Sequence, residues 1–236
     1  MVMLSDATTT NLEVIESKGV KLPIDPSVMS EHLQEVIRAG HYEKGEAKHL
    51  TEIVEPGERV LELGGGIGFL SALIGLTGRA EKIAVVEANP ALIPLIRMTH
   101  RLNGVDAEVI HGAAVADLTA TVLRFSIDVD FWASSLKPRK SKGVKSVIEV
   151  PAVALQALLQ IYRPTFMIVD VEGSEVDLLC GTADLGSVKK LIVEVHEKAI
   201  GPAGIKRLFD GMSAAGFYMD VRSVQPGVVL FRRLPE

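Results

Sequence analysis

A run of glycines between an apolar strand and an apolar helix constrains this chain more than any other segment. The strand is predicted at Val60 to Leu63 and the helix at Phe69 to Leu76, with glycines at 64, 65, 66 and 68 between them. Glycine permits positive φ and close approach of a ligand, and the helix start presents free N–H groups. A second apolar strand, Lys82 to Val86, completes a β-α-β unit. We therefore predict an open α/β sheet with a nucleotide-like ligand at its edge.

Strand and helix patterns alternate along most of the chain. Further strands are predicted at 107–110, 166–169 and 191–195, and an antiparallel pair at 217–221 and 228–231. The fold class is α/β: a Rossmann-like, seven-stranded, mostly parallel sheet with an antiparallel C-terminal hairpin and helices on both faces. Residues 1–40 are predicted to form a small N-terminal helical cap, and residues 41–236 the main domain. The stretch 126–146 breaks the alternation, and we interpret it as a long irregular loop.

Composition restricts the partners and the compartment. The 236 residues include 25 Lys and Arg against 30 Asp and Glu, a net charge of −5. A negative surface repels phosphate backbones, so no nucleic-acid partner is expected. The single cysteine, Cys180, excludes an internal disulfide and fits the cytoplasm. Without a signal-like start or a long apolar run, no membrane partner is expected. The oligomeric state stays open, with a homo-oligomer as one candidate.

The glycine segment has a specific spacing, with an acidic residue followed by three alternating glycines. A dinucleotide fingerprint needs glycine or alanine where Phe69 stands, which argues against a nicotinamide-dependent oxidoreductase. The spacing resembles motif I of class I S-adenosylmethionine-dependent methyltransferases. In that family the matching residues border the cofactor, and here they are Glu62, Gly64, Gly66 and Gly68. Glu87 follows the second strand, where a carboxylate accepts hydrogen bonds from ribose hydroxyls. Ala113 follows the third strand, where class I enzymes contact adenine.

Two acidic segments follow later strands. Asp170-x-Glu172-Gly173-x-Glu175 and Glu194-x-His196 resemble the signature of FkbM-type methyltransferases, and the resemblance covers Tyr42 to His196. It implies that residues 41–236 form a class I methyltransferase domain. The implied cofactor is S-adenosyl-L-methionine, with S-adenosyl-L-homocysteine as product, and the implied reaction is O-methylation of a hydroxyl on a sugar, polyketide or related small molecule. N-methylation of a small amine or amide, and a non-catalytic cofactor-binding protein, remain alternatives.

The same segments supply candidate catalytic residues. Glu194 and His196 share one face of a strand, and His196 is the preferred base because its unperturbed pKa lies closest to neutral. Asp170 and Glu172 are predicted to orient the acceptor or the imidazole; an interior polar network is the alternative. Asp170 and Tyr42 are also assigned to the cofactor. The Asp, Glu and His side chains together could also bind a divalent cation, but no metal-specific spacing is present, so no metal is expected.

The substrate side is assigned to the irregular stretch. Trp132, Ser134 and Glu172 are the candidate substrate-binding residues, with Trp132 as an apolar wall. The same stretch carries a basic run, which is interpreted either as a device that attracts an acidic substrate or as a solvated loop. The basic residues are Lys137, Arg139, Lys140, Lys142 and Lys145.

Overall fold

Strands and helices alternate along the chain in a computed structural model that describes residues 12–131, 134–137, 144–182, 184–222 and 226–235. The strands are β1 (Glu13–Ser17), β2 (Val20–Ile24), β3 (Glu58–Leu63), β4 (Ala80–Glu87), β5 (Glu108–His111), β6 (Ala113–Val115), β7 (Val122–Asp128), β8 (Val144–Ala154), β9 (Phe166–Val169), β10 (Lys190–Glu194), β11 (Phe217–Met219) and β12 (Val228–Arg233). The helices are α1 (Glu31–Arg38), α2 (Lys44–Ile53), α3 (Phe69–Leu76), α4 (Ile93–Asn103), α5 (Leu155–Tyr162), α6 (Glu175–Gly181) and α7 (Glu197–Ala214).

The central sheet has seven strands in the order β11-β12-β10-β9-β3-β4-β5. The pairs from β10 to β5 are all parallel, whereas β12 runs antiparallel to both β10 and β11. This arrangement confirms the predicted Rossmann-like fold with its antiparallel C-terminal hairpin. Because β3 and β9 lie side by side in the middle, the ends of the first and fourth predicted strands meet at one edge of the sheet.

Alternating side chains divide the sheet between two hydrophobic cores. Val60 and Ile168 point to the face that is covered by α1 to α4, and Leu61 and Met167 point to the face that is covered by α5 to α7. Helix α3 is apolar on all sides because it lies between the sheet and the β1–β2 hairpin. Helices therefore cover both faces, as predicted.

Two segments differ from the sequence-based expectation. The N-terminal cap contains the helix α1, but it also contains the antiparallel β1–β2 hairpin, which was not predicted and which packs on α3 and α4. The stretch 126–146 is not one loop, because β7 and β8 enter it from both sides as an antiparallel hairpin. Leu123, Phe125 and Val150 of this hairpin form a small core of their own with Ala113. Both strands of this hairpin mix exposed and partly buried residues and lack the continuous apolar run of the central strands.

Within the described ranges, every helix is too short or too polar to span a bilayer.

Candidate active site

A cavity of about 640 Å³ opens at the carboxyl ends of β3, β4, β9 and β10. Its lining brings together most of the predicted site residues: Tyr42, Gly64, Gly66, Glu87, Ala113, Ser134, Asp170, Glu172 and Glu194. Glu62 and Gly68 lie outside this lining, next to the glycine turn, and His196 contacts the lining carboxylates. Trp132 lies outside the described residues. The carboxyl edge of the sheet is thus the candidate site, as expected for an open α/β fold.

The glycine turn is held tightly between neighbours. Gly64 has φ +90°, and a Cβ at this position would stand 1.8 Å from the carbonyl oxygen of Asp170. Gly66 has φ +52°, and its Cβ would stand 2.4 Å from the phenol oxygen of Tyr42. Any side chain at these two positions would therefore separate β3 from β9 or displace Tyr42.

Glu87 ends β4 inside the cavity and is only 6% exposed. One carboxylate oxygen accepts the N–H of Gly66 at 3.0 Å, and the other accepts the N–H of Asn89 at 2.7 Å. Because Glu87 lines the cavity, its carboxylate oxygens can also accept hydrogen bonds from the hydroxyls of a ribose. Glu87 thus joins the glycine turn to the position at which the ribose is expected.

The affinity for S-adenosylmethionine is expected to decrease as the pH falls below 7. Burial raises the pKa of Glu87 to about 7. The side chain is therefore ionised and accepts hydrogen bonds above this pH, and it becomes protonated below it. Each further pH unit then weakens binding by up to about tenfold. Calorimetric titration between about pH 6 and pH 8 measures this slope, and Glu87→Gln is the matched control. A slope that persists unchanged in that variant would assign the effect to another group.

Glu62 and Tyr42 both lie next to the glycine turn. Glu62 is 1% exposed, and burial raises its pKa to about 8. Its Oε2 has no hydrogen-bond partner among the described residues. Tyr42 is buried, makes edge contacts with Phe69 and Phe131, and closes the turn over Gly66. Tyr42 lines the cavity, whereas Glu62 supports the glycine turn from outside the lining.

The acidic segments form one cluster around His196. Its Nε2 lies 3.2 Å from Glu172 Oε2, 3.7 Å from Asp170 Oδ1 and 3.8 Å from Glu194 Oε1. Its Nδ1 donates a hydrogen bond of 2.6 Å to Glu175, which is 0% exposed and also accepts the N–H of Gly173. The end of β9 and the end of β10 are therefore joined through one imidazole.

The pKa values of His196, Asp170 and Glu194 are all raised in this cluster, for different physical reasons. Burial lowers the pKa of His196, but hydrogen bonds to Glu172 and Glu175 outweigh burial and raise it to about 11. Burial and repulsion from Glu194 raise the pKa of Asp170 well above its usual range. Burial and repulsion from Glu46 raise the pKa of Glu194 to about 7. With a proton on the imidazole, His196 has no free lone pair at neutral pH, so its predicted role as base stays a prediction without support from this geometry.

The other predicted residues occupy the side of the cavity that faces β6 and the β7–β8 hairpin. Ala113 begins β6 and lines the cavity. Ser134 also lines it, but its hydroxyl already accepts the N–H of Asp128 at 3.0 Å. In the basic run, Lys137 pairs with Asp177 at 2.8 Å and Lys145 is exposed on β8, whereas Arg139, Lys140 and Lys142 lie outside the described residues.

Two carboxylates of the site were given no role from the sequence. Glu46 is 8% exposed on the inward face of α2, one turn before the buried Leu50, and it lines the cavity. A carboxylate in the apolar stripe of a helix is the signal that indicates such a position. Glu175 belongs to the acidic segment, but its complete burial depends on the packing of α6.

Comparison with known proteins finds similarity to methyltransferases. The family model of the TRM5/TYW2 methyltransferase domain matches residues 31–134. Among solved structures, M. jannaschii TYW2 in complex with AdoMet is 14% identical with a TM-score of 0.51, covering 94% of this chain and 87% of its own. Trm5b from Pyrococcus abyssi is 13% identical with a TM-score of 0.52, covering 94% of this chain and 55% of its own. No curated protein matches the chain.

These findings confirm three predictions. The fold is that of a Rossmann-like methyltransferase. The chain is an S-adenosylmethionine-dependent methyltransferase, and S-adenosylmethionine is its cofactor. The matched residues run from α1 through the glycine turn and Glu87 to Ser134, so they contain most of the predicted cofactor site.

Three related predictions were wrong. The matching family is TRM5/TYW2 and not FkbM, although the acidic segments resemble the latter. With the family, the small-molecule acceptor and the expected absence of a nucleic-acid partner are also overturned. The acidic segments lie at 170–196, outside the matched range, and carboxylates at strand ends suit acceptors of many kinds. An average charge of −5 describes the whole surface and carries no information on a local binding face.

Proposed function

We propose that this methyltransferase transfers a methyl group to tRNA. The observation that carries the proposal is the match of residues 31–134 to the TRM5/TYW2 methyltransferase domain, a type of enzyme that acts on tRNA. The two similar structures, named TYW2 and Trm5b, agree with it in fold.

The chemistry of the cavity supports a nucleobase as the acceptor. The oxygens of Asp170, Glu172 and Glu194 are hydrogen-bond acceptors on one wall, and Phe125 and Phe131 offer aromatic surface in the same cavity. Bases are read by hydrogen bonds to their edges and by stacking on aromatic groups once they leave the helix. Base N–H groups are donors, so a carboxylate wall complements them.

Local basic residues support contacts with phosphates despite the negative total charge. Lys44 lines the cavity, and Lys137 and Lys145 flank the tip of the β7–β8 hairpin. The sequence adds Arg139, Lys140 and Lys142 between them. Phosphate contacts of this kind would provide affinity for the tRNA, whereas contacts in the cavity would provide specificity for the base.

The predicted residues take these roles within the proposal. Tyr42, Gly64, Gly66, Glu87, Ala113 and Asp170 bind S-adenosylmethionine, with Glu62 and Gly68 shaping the glycine turn from outside the cavity lining. Glu172, Glu194 and Ser134 face the acceptor. Residues 1–40 act as a cap on a methyltransferase domain of residues 41–236. A cytoplasmic location goes with a tRNA substrate and a single cysteine.

Methyl transfer to tRNA can be measured directly. The purified protein is incubated with S-adenosylmethionine that carries a labelled methyl group and with unmodified tRNA transcripts or total tRNA. We expect label in the tRNA, and nucleoside mass spectrometry then identifies the methylated base. Raising the salt concentration is expected to weaken tRNA binding steeply, because phosphate contacts release counterions.

The control separates substrate from cofactor. The Glu87→Ala variant is expected to leave tRNA unlabelled, because it loses cofactor affinity. A wild-type protein that binds S-adenosylmethionine but labels none of the tRNA species would overturn the proposal.

A further inference from the structure

The orientation of His196 is fixed from behind by a buried carboxylate. Glu175 is 0% exposed and accepts the Nδ1–H of His196 at 2.6 Å. The opposite nitrogen, Nε2, therefore faces the carboxylates of Asp170, Glu172 and Glu194. A carboxylate that accepts one ring N–H while the other nitrogen faces further ligands is the usual surrounding of a metal-binding histidine.

The facing groups converge on one point. One ligand atom each from Asp170, Glu172 and His196 lies within 4.8 Å of the others. The separations from Nε2 to the carboxylate oxygens, 3.2 Å to 3.8 Å, are those of atoms that share one centre at about 2.1 Å to 2.3 Å. A small adjustment of side chains would place all of them around a single ion.

A buried oxygen of the cluster also lacks a partner. Asp170 Oδ1 is inaccessible to solvent and has no hydrogen-bond partner among the described residues, although it points towards Nε2. Buried polar atoms without a partner are costly, by about 1–3 kcal/mol. Glu46 adds a further carboxylate beside Glu194. The wall thus gathers several carboxyl groups around one imidazole, and a bound cation would reduce the repulsion between them and give Asp170 Oδ1 a partner.

We propose that Asp170, Glu172 and His196 bind a divalent cation, with Glu194 as a fourth ligand. Mixed carboxylate and imidazole ligands suit Mn²⁺, Fe²⁺ or Zn²⁺. The ion takes the place of the imidazole proton, since a ligating histidine must be neutral. This replaces the expectation of a metal-free site, which rested on sequence spacing: the ligands come from two separate strands, so no short motif contains them.

The cation deepens the proposed function, on which this consequence rests. A carboxylate wall without a cation repels the phosphates that accompany a tRNA base into the cavity. A bound divalent ion removes this repulsion and offers a coordination position to an oxygen or nitrogen of the base.

Binding of Mn²⁺ to the full chain, freed of metal by a chelator and without RNA, tests the site. Calorimetry is expected to show one Mn²⁺ per chain, and Glu172→Gln is expected to weaken binding at least about 100-fold. Glu175→Gln, which disturbs only the support of the imidazole, is expected to weaken it about 10- to 100-fold. Asp177→Asn, on the exposed side of α6, is the matched control and is expected to bind as the wild type does.

A second measurement needs no variant. Electron spin-echo spectroscopy of the Mn²⁺-loaded wild-type protein is expected to show modulation from one imidazole nitrogen. The absence of that modulation, or equal Mn²⁺ affinity in wild type and Glu172→Gln, would overturn the proposal. Because no tRNA is present, a failure of the tRNA proposal would leave both results unchanged.

Discussion

Replacement of Gly64 by alanine is expected to abolish binding of S-adenosylmethionine and to lower the free energy of unfolding by about 2–5 kcal/mol. The estimate combines about 1–2 kcal/mol for a side chain at positive φ with about 1–3 kcal/mol for overpacking. The added Cβ would stand 1.8 Å from the carbonyl oxygen of Asp170, which is backbone and cannot rotate away. The separation of β3 from β9 would also displace the turn that borders the cofactor. Denaturant unfolding and calorimetric titration with the cofactor measure the two effects.

Gly57→Ala is the matched control for this prediction. Gly57 has φ +79°, close to the +90° of Gly64, but nothing lies within 4 Å of its hypothetical Cβ. The free energy of unfolding of Gly57→Ala should therefore fall only by the conformational part, about 1–2 kcal/mol, and its cofactor affinity should be unchanged. An equal decrease in the free energy of unfolding of the two variants would show that backbone strain, rather than the contact with Asp170, makes glycine necessary at position 64.

The second large effect is expected for Glu87→Ala, which should weaken binding of S-adenosylmethionine by about 10²- to 10⁴-fold. A hydrogen bond to a charged group contributes about 1.5–3 kcal/mol, two ribose hydroxyls are expected to use Glu87, and about 1.4 kcal/mol corresponds to a factor of ten. The variant also removes the acceptor for the N–H of Gly66, so the glycine turn loses a support. Calorimetry with S-adenosylmethionine and S-adenosylhomocysteine measures the loss.

A carboxylate at the other end of the same strand serves as the control. Glu81 is 63% exposed at the start of β4, where its only described ion pair is a 3.8 Å contact with Arg59. Glu81→Ala is expected to bind the cofactor within about twofold of the wild type, because an exposed ion pair contributes little. If Glu87→Ala bound as tightly as Glu81→Ala, the ribose contact would have to come from a different residue.

Local sequence patterns predicted the elements of the central sheet well, because each pattern is contained in a short window. The helix expected at 69–76 is α3 with the same bounds, since the glycine turn fixes its start and Gly78 follows its end. The β1–β2 hairpin and the β7–β8 hairpin were not predicted. Their strands mix exposed and buried residues, and Val144 and Val147 are exposed on β8. Only pairing with a partner strand, which a local pattern does not contain, gives such segments their structure.

Only part of the site could be predicted, because a local sequence pattern does not contain the neighbours that tertiary packing adds. The rule that ligands bind at the carboxyl ends of parallel strands was enough to bring Gly64, Glu87 and Asp170 to one cavity. The rule gave no information on Glu46, which reaches the cavity from a helix, or on the burial of Glu175. The protonation state of His196 also depends on these neighbours, so the usual pKa of histidine was a poor guide to its role. The acceptor could not be read from strand-end carboxylates, which are common to many chemistries.

The central sheet consists of two halves that meet along a single seam between β3 and β9. Strands β3 to β5 come from the first half of the chain, and β9 to β12 from the second. The cofactor cavity draws Gly64 and Glu87 from one half and Asp170 and Glu194 from the other. A nucleoside bound to residues of both halves would hold them together, and its binding free energy would add to the free energy needed to separate β3 from β9. Amide hydrogens of β3 and β9 should consequently exchange with solvent more slowly when the cofactor is present.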